Sequence, residues 1–462
     1  MPIEMKKISL LLSFAILFSC APVKEKVSKT AILFTNANVV DVRTGQIQES
    51  QQVIIDSGKI KSIQPTIGHP EDFTTQIDAK GKYLMPGLAE MHAHIPQSPT
   101  SEERIEETLF LYLSNGITTI RGMLGHPSHL VLREKAKTGE ILSPRIFTSS
   151  PSLNGNSITT KAEAIEKVTT YQKEGYDFLK IHPGIQLEVF DQVVITANEV
   201  GMPFAGHVPV AVGIRHALAS KYAAIDHVDG FLEGLVPESK NVDPTKNGFF
   251  GFDFTPLADP TKMDELVQMA KENKVWIVPT QSLFERWFAP VSSDELLLQP
   301  EMKYMPTSTL ADWKKRKDEY TGPNTNFDTK QWDQFTAIRR ELIKKLQDGG
   351  HGMLLGSDAP QLFNVPGFSI QHEIEGMRLA GLTPLEILQS GTINPAIFFG
   401  MEGSFGEIKE GQDADMVLLN ANPLENTEAF KQISGVMVQG KWLSQEVIAK
   451  KLADIANNAI DN

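Results

Sequence analysis

From residue 31 onward, apolar and polar positions alternate in short blocks bounded by turn residues: AILFTNANVVDVRTG, QQVIIDSGKIKSIQP and, after a turn at Gly81, KYLMPG. A period of two interrupted by Gly, Asp and Pro predicts short β-strands. The same rhythm returns late, in GEIKEGQDADMVLLNANP and ISGVMVQGKWLSQEV. The two ends of the chain, 31–88 and 401–455, are therefore expected to pair into one small β-sandwich domain around a central insertion.

Within that insertion, residues 89–400, eight apolar runs read as strands: MHAHI, ITTIRG, RIFTSS, DFLKIH, MPFAGH, AAIDHV, VWIVPT and GMLLGSD. Helix-like stretches lie between several of them, at 163–174, 186–200, 262–273 and 334–348. Repeated βα units with polar residues at the ends of many different strands predict an α/β fold, a (β/α)8 TIM-type barrel, rather than an open doubly wound sheet. Segments 233–260 and 285–333 exceed ordinary connections and carry Phe249, Phe250, Trp287 and Phe288. Loops of that length form lids or substrate walls, or else surface elaboration.

Composition narrows the class. The chain has 462 residues, 41% apolar and 22% charged, enough apolar side chain for a large folded core. A formal net charge of −13 gives no basic field for phosphate backbones, so nucleic acid is excluded as a partner. Oligomeric state is left open, a homo-oligomer included.

The N-terminus carries Lys6 and Lys7, the apolar run ISLLLSFAILF, and then Ser19-Cys20. The run is short for a membrane span, and its layout is that of a signal segment. Leu17-Phe18-Ser19-Cys20 resembles a bacterial lipoprotein signal, in which the cysteine receives lipid. Cys20 is the only cysteine, so no intramolecular disulfide can form. The expectation is a signal peptide over 1–19, a lipidated Cys20, a polar tether over 20–30, and a membrane-anchored protein on the outer membrane facing the periplasm.

Of eleven histidines, four stand out. His92 and His94 are two apart on an expected strand, so both imidazoles point to one side and can grip one metal ion; two satisfied strand histidines are the plainer alternative. His207 ends MPFAGH, His227 ends AAIDH, and Asp358 ends GMLLGSD, each where a barrel strand delivers its last side chain to the upper face. Polar ligand types at so many strand ends suggest a metal-dependent enzyme.

At this point the chain resembles the amidohydrolase superfamily. MPGLAEMHAHI is similar to the superfamily motif PGxxDxHxH, with Glu90 where Asp is usual, and DFLKIH to the fourth-strand motif whose lysine becomes a carbamate. GEIKEGQDADMVLL is similar to the returning strand GxIxxGxxADxVVL, while TTIRG departs from TTxRD at Gly122. The nearest branch is the imidazolonepropionase-related one, which includes binuclear dipeptidases acting on Xaa-Pro or other Xaa bonds.

The resemblance implies two divalent ions, with zinc the expected metal and manganese, cobalt or iron also compatible with imidazole donors. His92, His94 and Asp358 hold the first and His207 and His227 the second. Lys180, carboxylated by carbon dioxide, bridges them together with a hydroxide. The ions lower the pKa of that water and polarise the scissile carbonyl, and Asp358 carries its proton to the leaving amine. His182 donates to the substrate or to the carbamate. Arg121 either meets a substrate carboxylate or forms a buried ion pair, and His126 and His129 are not expected to be ligands.

The implied reaction is cleavage of a C–N amide bond in a small substrate, a dipeptide first. Hydrolysis of a lactone, cyclic amide or organophosphate is the alternative, and a non-catalytic solute-binding lipoprotein the remote one.

Overall fold

The computed structural model describes residues 30–65 and 73–459. The leader, Cys20 and most of the tether lie outside them. Near the chain start, strands β1 (Ile32–Val40), β2 (Ile47–Asp56), β3 (Lys59–Pro65), β4 (Thr75–Asp78) and β5 (Tyr83–Pro86) form one side of a mixed sheet. The β2–β3 hairpin closes through Ser57 and Gly58, with φ of 53° and 75°. Two successive positive φ values match the right-handed twist of the strands, which is why Gly occupies the second position.

The barrel strands follow as β6 (Leu88–Ala93), β7 (Ile117–Gly122), β8 (Arg145–Leu153), β9 (Phe178–Ile181), β10 (Phe204–Gly206), β11 (Ala224–Asp226) and β12 (Trp276–Val278), all parallel neighbours in sequence order. The eighth run, around 353–359, closes the ring. Its Leu354 N–H donates to Ile277 O at 2.8 Å, and it accepts from Met91 N and His94 N at Leu355 O and Ala359 O, at 2.8 and 2.7 Å. All eight expected runs are thus in the barrel. Ala89, Met91, Phe178, Ala224, Trp276 and Leu354 pack together as one apolar cluster. Two residues on, period-two alternation brings Lys180 and Asp226 to the same side as Phe178 and Ala224.

Helices cover the strands. The helix Lys161–Glu174 shows why its bounds fall where they do: Thr160 and Glu163 form a reciprocal capping box, and Gly175 ends it at φ 86°. The other expected helical stretches appear as Leu187–Val200, Met263–Glu272 and Thr329–Gly349. The two long segments are folded rather than loose. The first is a run of short 3-10 turns, including Phe249–Leu257, and the second contains the helices Ser293–Leu297 and Thr307–Thr321.

The chain then returns through β13 (Met416–Leu419), β14 (Ile433–Val438) and β15 (Lys441–Ser444). β13 pairs antiparallel with β5, Leu419 opposite Tyr83 and Met416 opposite Pro86, so both chain ends share one sheet and build the expected sandwich domain. Phe34, Val53, Ile60, Leu84, Met416 and Leu418 form its core. Arg145 at the start of β8 ties the barrel to this return strand, with Asp413 at 2.7 Å and Asp415 at 3.1 Å.

Candidate metal centre

At the carboxyl ends of the barrel strands, His92, His94 and Asp358 each offer a ligand atom, and the three atoms lie within 4.8 Å of one another. His94 Nε2 is 2.7 Å and His92 Nε2 3.3 Å from Asp358 Oδ1. Gln361 donates to the other carboxylate oxygen from the following loop. Among the described residues this is one cluster with the donor types and spacing for a divalent ion.

The other predicted residues converge on it. The rings of His94, His92, His227, His207 and His182 form a continuous row, with successive centroids 5.3, 4.6, 4.6 and 5.0 Å apart. Asp229 accepts from His207 Nδ1 at 3.0 Å and also from Val208 N, fixing that ring. Thr280 pairs with His227 Nδ1 at 2.8 Å, and Ser152 with His182 Nδ1 at 2.5 Å. Outer partners of this kind hold imidazoles in ligating orientation. Arg339, fully buried, donates to His227 O at 2.8 Å and to Gln281, and stacks on Phe284 at 3.5 Å.

Several backbones turn sharply here. His227, Thr280 and Asp358 adopt φ of 64°, 45° and 66°, the left-handed region that costs a non-glycine residue of order 1–3 kcal/mol. Surrounding contacts hold these strand ends in place and aim their side chains inward.

Burial dominates the electrostatics. It drives His92 and His227 well below the ordinary histidine range and His182 down to about 2, so all three are neutral, with a lone pair available on each ring. Burial works to raise Asp358, but His92, His94 and Lys180 outweigh it and keep the carboxyl below its usual value. Lys180, also fully buried, is lowered by burial against the opposing pull of Asp226 and Asp358.

Lys180 Nζ faces Asp226 Oδ2 at 3.5 Å, and His92 Nδ1 faces the same oxygen at 3.4 Å. None of these three buried atoms makes a hydrogen bond. Buried polar atoms left this way are costly unless another group completes their bonding. The donor set fits a cation bound at this end of the barrel.

Of the two readings of Arg121, the structure shows the buried ion pair. Arg121 does not face a substrate: its side chain is fully buried, donating to Met91 O at 2.7 Å and Asp226 Oδ1 at 2.7 Å, with its guanidinium between the rings of Phe178 and Phe398. The alternative reading of a buried ion pair holds, because Asp226 supplies the charge that balances it. His126 caps the helix Pro127–Thr138 by accepting from Ser128 N, and His129 is buried, so neither joins the histidine row. Asp226, Asp229, Thr280 and Arg339 were not singled out from sequence. The acids in AIDHVDG flank His227 and were the available signal, whereas Thr280 and Arg339 reach the site only through tertiary packing.

Residues 83–443 match the amidohydrolase family. The ochratoxinase of Aspergillus niger is 21% identical over 394 residues, covering 79% of this chain and 75% of that protein. Among solved structures, bottromycin amidohydrolase superposes with a TM-score of 0.71 at 20% identity, covering 94% of this chain and 92% of its own. A Xaa-Pro dipeptidase with methionine bound in its active site superposes with a TM-score of 0.63 at 18% identity, covering 90% and 100%. With a family match spanning both the barrel and the return strands, and with a His-His-Asp cluster at the carboxyl ends of the barrel strands, the chain belongs to the amidohydrolase family as a metal-dependent hydrolase acting on a C–N bond.

Proposed function

We propose that the protein cleaves the amide bond of a short peptide, a dipeptide first, at a centre of two divalent ions. The observation that carries the two-ion reading is the position of Lys180. Its buried amine lies 3.5 Å from Asp226 Oδ2, the oxygen that His92 Nδ1 also faces at 3.4 Å, and makes no hydrogen bond. Carbon dioxide addition forms an N–C bond, releases a proton and converts the amine into a carbamate with two oxygens. Burial favours the neutral amine that this addition requires.

His92, His94 and Asp358 would hold one ion, His207 and His227 the other, and carboxylated Lys180 would lie between them. Bound there, zinc or a similar ion supplies Lewis acidity to the scissile carbonyl and lowers the pKa of water toward about 7. Asp358, kept ionised by its histidine neighbours, takes the proton of the attacking water and passes it to the leaving amine, which departs poorly as an anion. His182 is neutral, with Ser152 on Nδ1; as the Nε2–H tautomer it donates to the carbonyl oxygen as charge develops.

Support for an amide substrate comes from the two superposed structures, one a bottromycin amidohydrolase and the other a Xaa-Pro dipeptidase. Phe250 adds an apolar wall, its ring 5.3 Å from His227 and 5.8 Å from His207. We also propose that Cys20 carries lipid and anchors the enzyme at the outer membrane, where peptide fragments are met. The test of function is a panel of dipeptides, lactones, cyclic amides and phosphotriesters on metal-loaded enzyme. Dipeptides are expected to give the highest kcat/KM; faster hydrolysis of a lactone or phosphotriester by orders of magnitude would overturn the peptidase reading.

A further inference from the structure

His182 closes the histidine row, and the hydrogen bonds that fix its tautomer begin in the loop after β8. Asn154, the first residue past that strand, turns its side-chain oxygen back on its own loop, where it accepts from Asn156 N at 2.9 Å and Ser157 N at 3.0 Å. With two backbone donors on the oxygen, the amide has one allowed orientation, and its NH2 end faces Ser152 Oγ at 2.9 Å. The loop has little room to shift. Gly155 N donates to Pro183 O at 3.2 Å, and a Cβ on Gly155 would stand 2.4 Å from Gly184 O, so the loop is pressed against the segment that follows His182.

Ser152 lies opposite Lys180 in the pairing of β8 with β9. Its hydroxyl has one hydrogen to give. Oγ accepts from Asn154, and among the described residues the other polar group it meets is His182 Nδ1, at 2.5 Å. The hydroxyl therefore donates to Nδ1, Nδ1 spends its lone pair on that bond, and the ring hydrogen sits on Nε2. His207, the neighbouring ring, is sorted the other way. Its Nδ1 meets the Asp229 carboxylate, which offers only acceptors, so Nδ1 carries the hydrogen and Nε2 keeps the lone pair that a cation needs. His182 in its own tautomer has no lone pair left for an ion at either nitrogen.

We infer that Asn154 and Ser152 are positioning residues that set His182 as the Nε2–H tautomer, and that this ring is a hydrogen-bond donor for an oxygen of the bound substrate and not a metal ligand. The use of that donor in amide cleavage rests on the peptidase reading above, whereas the tautomer rests on the hydrogen bonds alone. His182 is half-buried and Lys180 fully buried two residues earlier, so the donor stands nearer the open end of the barrel than the amine does.

The experiment is neutron diffraction from heavy-water crystals of the zinc-loaded enzyme, wild type and Asn154→Asp, beside elemental analysis and dipeptide kinetics. Asn154→Asp keeps an oxygen for Asn156 N and Ser157 N but puts an acceptor where the NH2 group was, so the Ser152 hydroxyl turns toward it and accepts from His182 Nδ1 instead. Wild type is expected to carry deuterium on His182 Nε2, and Asn154→Asp on Nδ1. The variant should keep its metal and KM while kcat falls by about 100-fold, as for loss of one preorganised donor. Ser152→Ala should fall similarly, and Ser152→Thr, which returns the hydroxyl, should recover most of that loss. Deuterium on Nδ1 in wild type, or an ion bonded to His182 Nε2, overturns the inference whatever the activity, and this map decides the tautomer even if a variant fails to fold. Deuterium on Nε2 in both proteins overturns the part given to Asn154, and a moved deuterium with wild-type kcat overturns the donor role. Absence of cleavage of every dipeptide by wild type overturns the peptidase reading instead, and the neutron map still decides the tautomer.

Discussion

Lys180 Nζ and Asp226 Oδ2 lie 3.5 Å apart on adjacent sides of the barrel interior, both fully buried and neither hydrogen-bonded. Asp226 spends its other oxygen on Arg121, so one carboxylate is shared between two cations and cannot fully satisfy both. Two buried cations facing one anion favour conversion of the lysine to an anionic carbamate once further cations bind. Lys180→Ala should therefore lower metal content and activity together, with kcat/KM down by more than the roughly 100-fold that loss of an outer orienting partner can cause. Elemental analysis beside kinetics checks this; normal metal content in the variant would reduce Lys180 to a structural partner of Asp226.

His207 depends on Asp229 for its orientation, through the 3.0 Å bond to Nδ1. Asp229→Ala is expected to weaken metal binding by about 10–100-fold while the barrel stays folded. Competition with a chelator of known affinity reads the shift directly. An unchanged affinity would mean that His207 is held by packing alone, or that it binds no ion.

Arg121 is expected to matter for folding and not for substrate recognition. Arg121→Met leaves Asp226 buried without the hydrogen-bonded guanidinium that balances it, a loss of about 3–5 kcal/mol for breaking a buried pair. Urea unfolding measures it. A variant with wild-type stability and a raised KM would restore the substrate-clamp role.

Much of this architecture is visible in the chain because it depends on local pattern. The eight apolar runs become barrel strands, and the late GQDADMVLL segment finds β5 because both keep the spacing of buried strand residues. The converging histidines are legible since they fall at or near the ends of apolar runs, where a strand must deliver a polar side chain to the barrel mouth. Arg121 ends such a run as well, and this is why sequence alone left its role divided: nothing local reveals that Asp226, 105 positions away, meets it inside the barrel. Arg339 was out of reach for the same reason. On an amphipathic helix it reads as one more surface cation, yet tertiary packing buries it beneath His227.

Cys20 lies outside the described residues, and its lipidation is tested on the exported protein. Mass spectrometry of the mature N-terminal peptide should show cleavage after Ser19 and a diacylglyceryl-modified Cys20. An unmodified thiol, or cleavage at another bond, would contradict the anchor.

The central claim is a pair of ions bridged by a modified lysine, and anomalous diffraction from crystals of the metal-loaded enzyme tests it most directly. Two anomalous peaks per chain are expected, one among His92, His94 and Asp358 and one beside His207 and His227, with carbamate density on Lys180 between them. A single peak, or two fully occupied peaks flanking an unmodified Lys180, would contradict it.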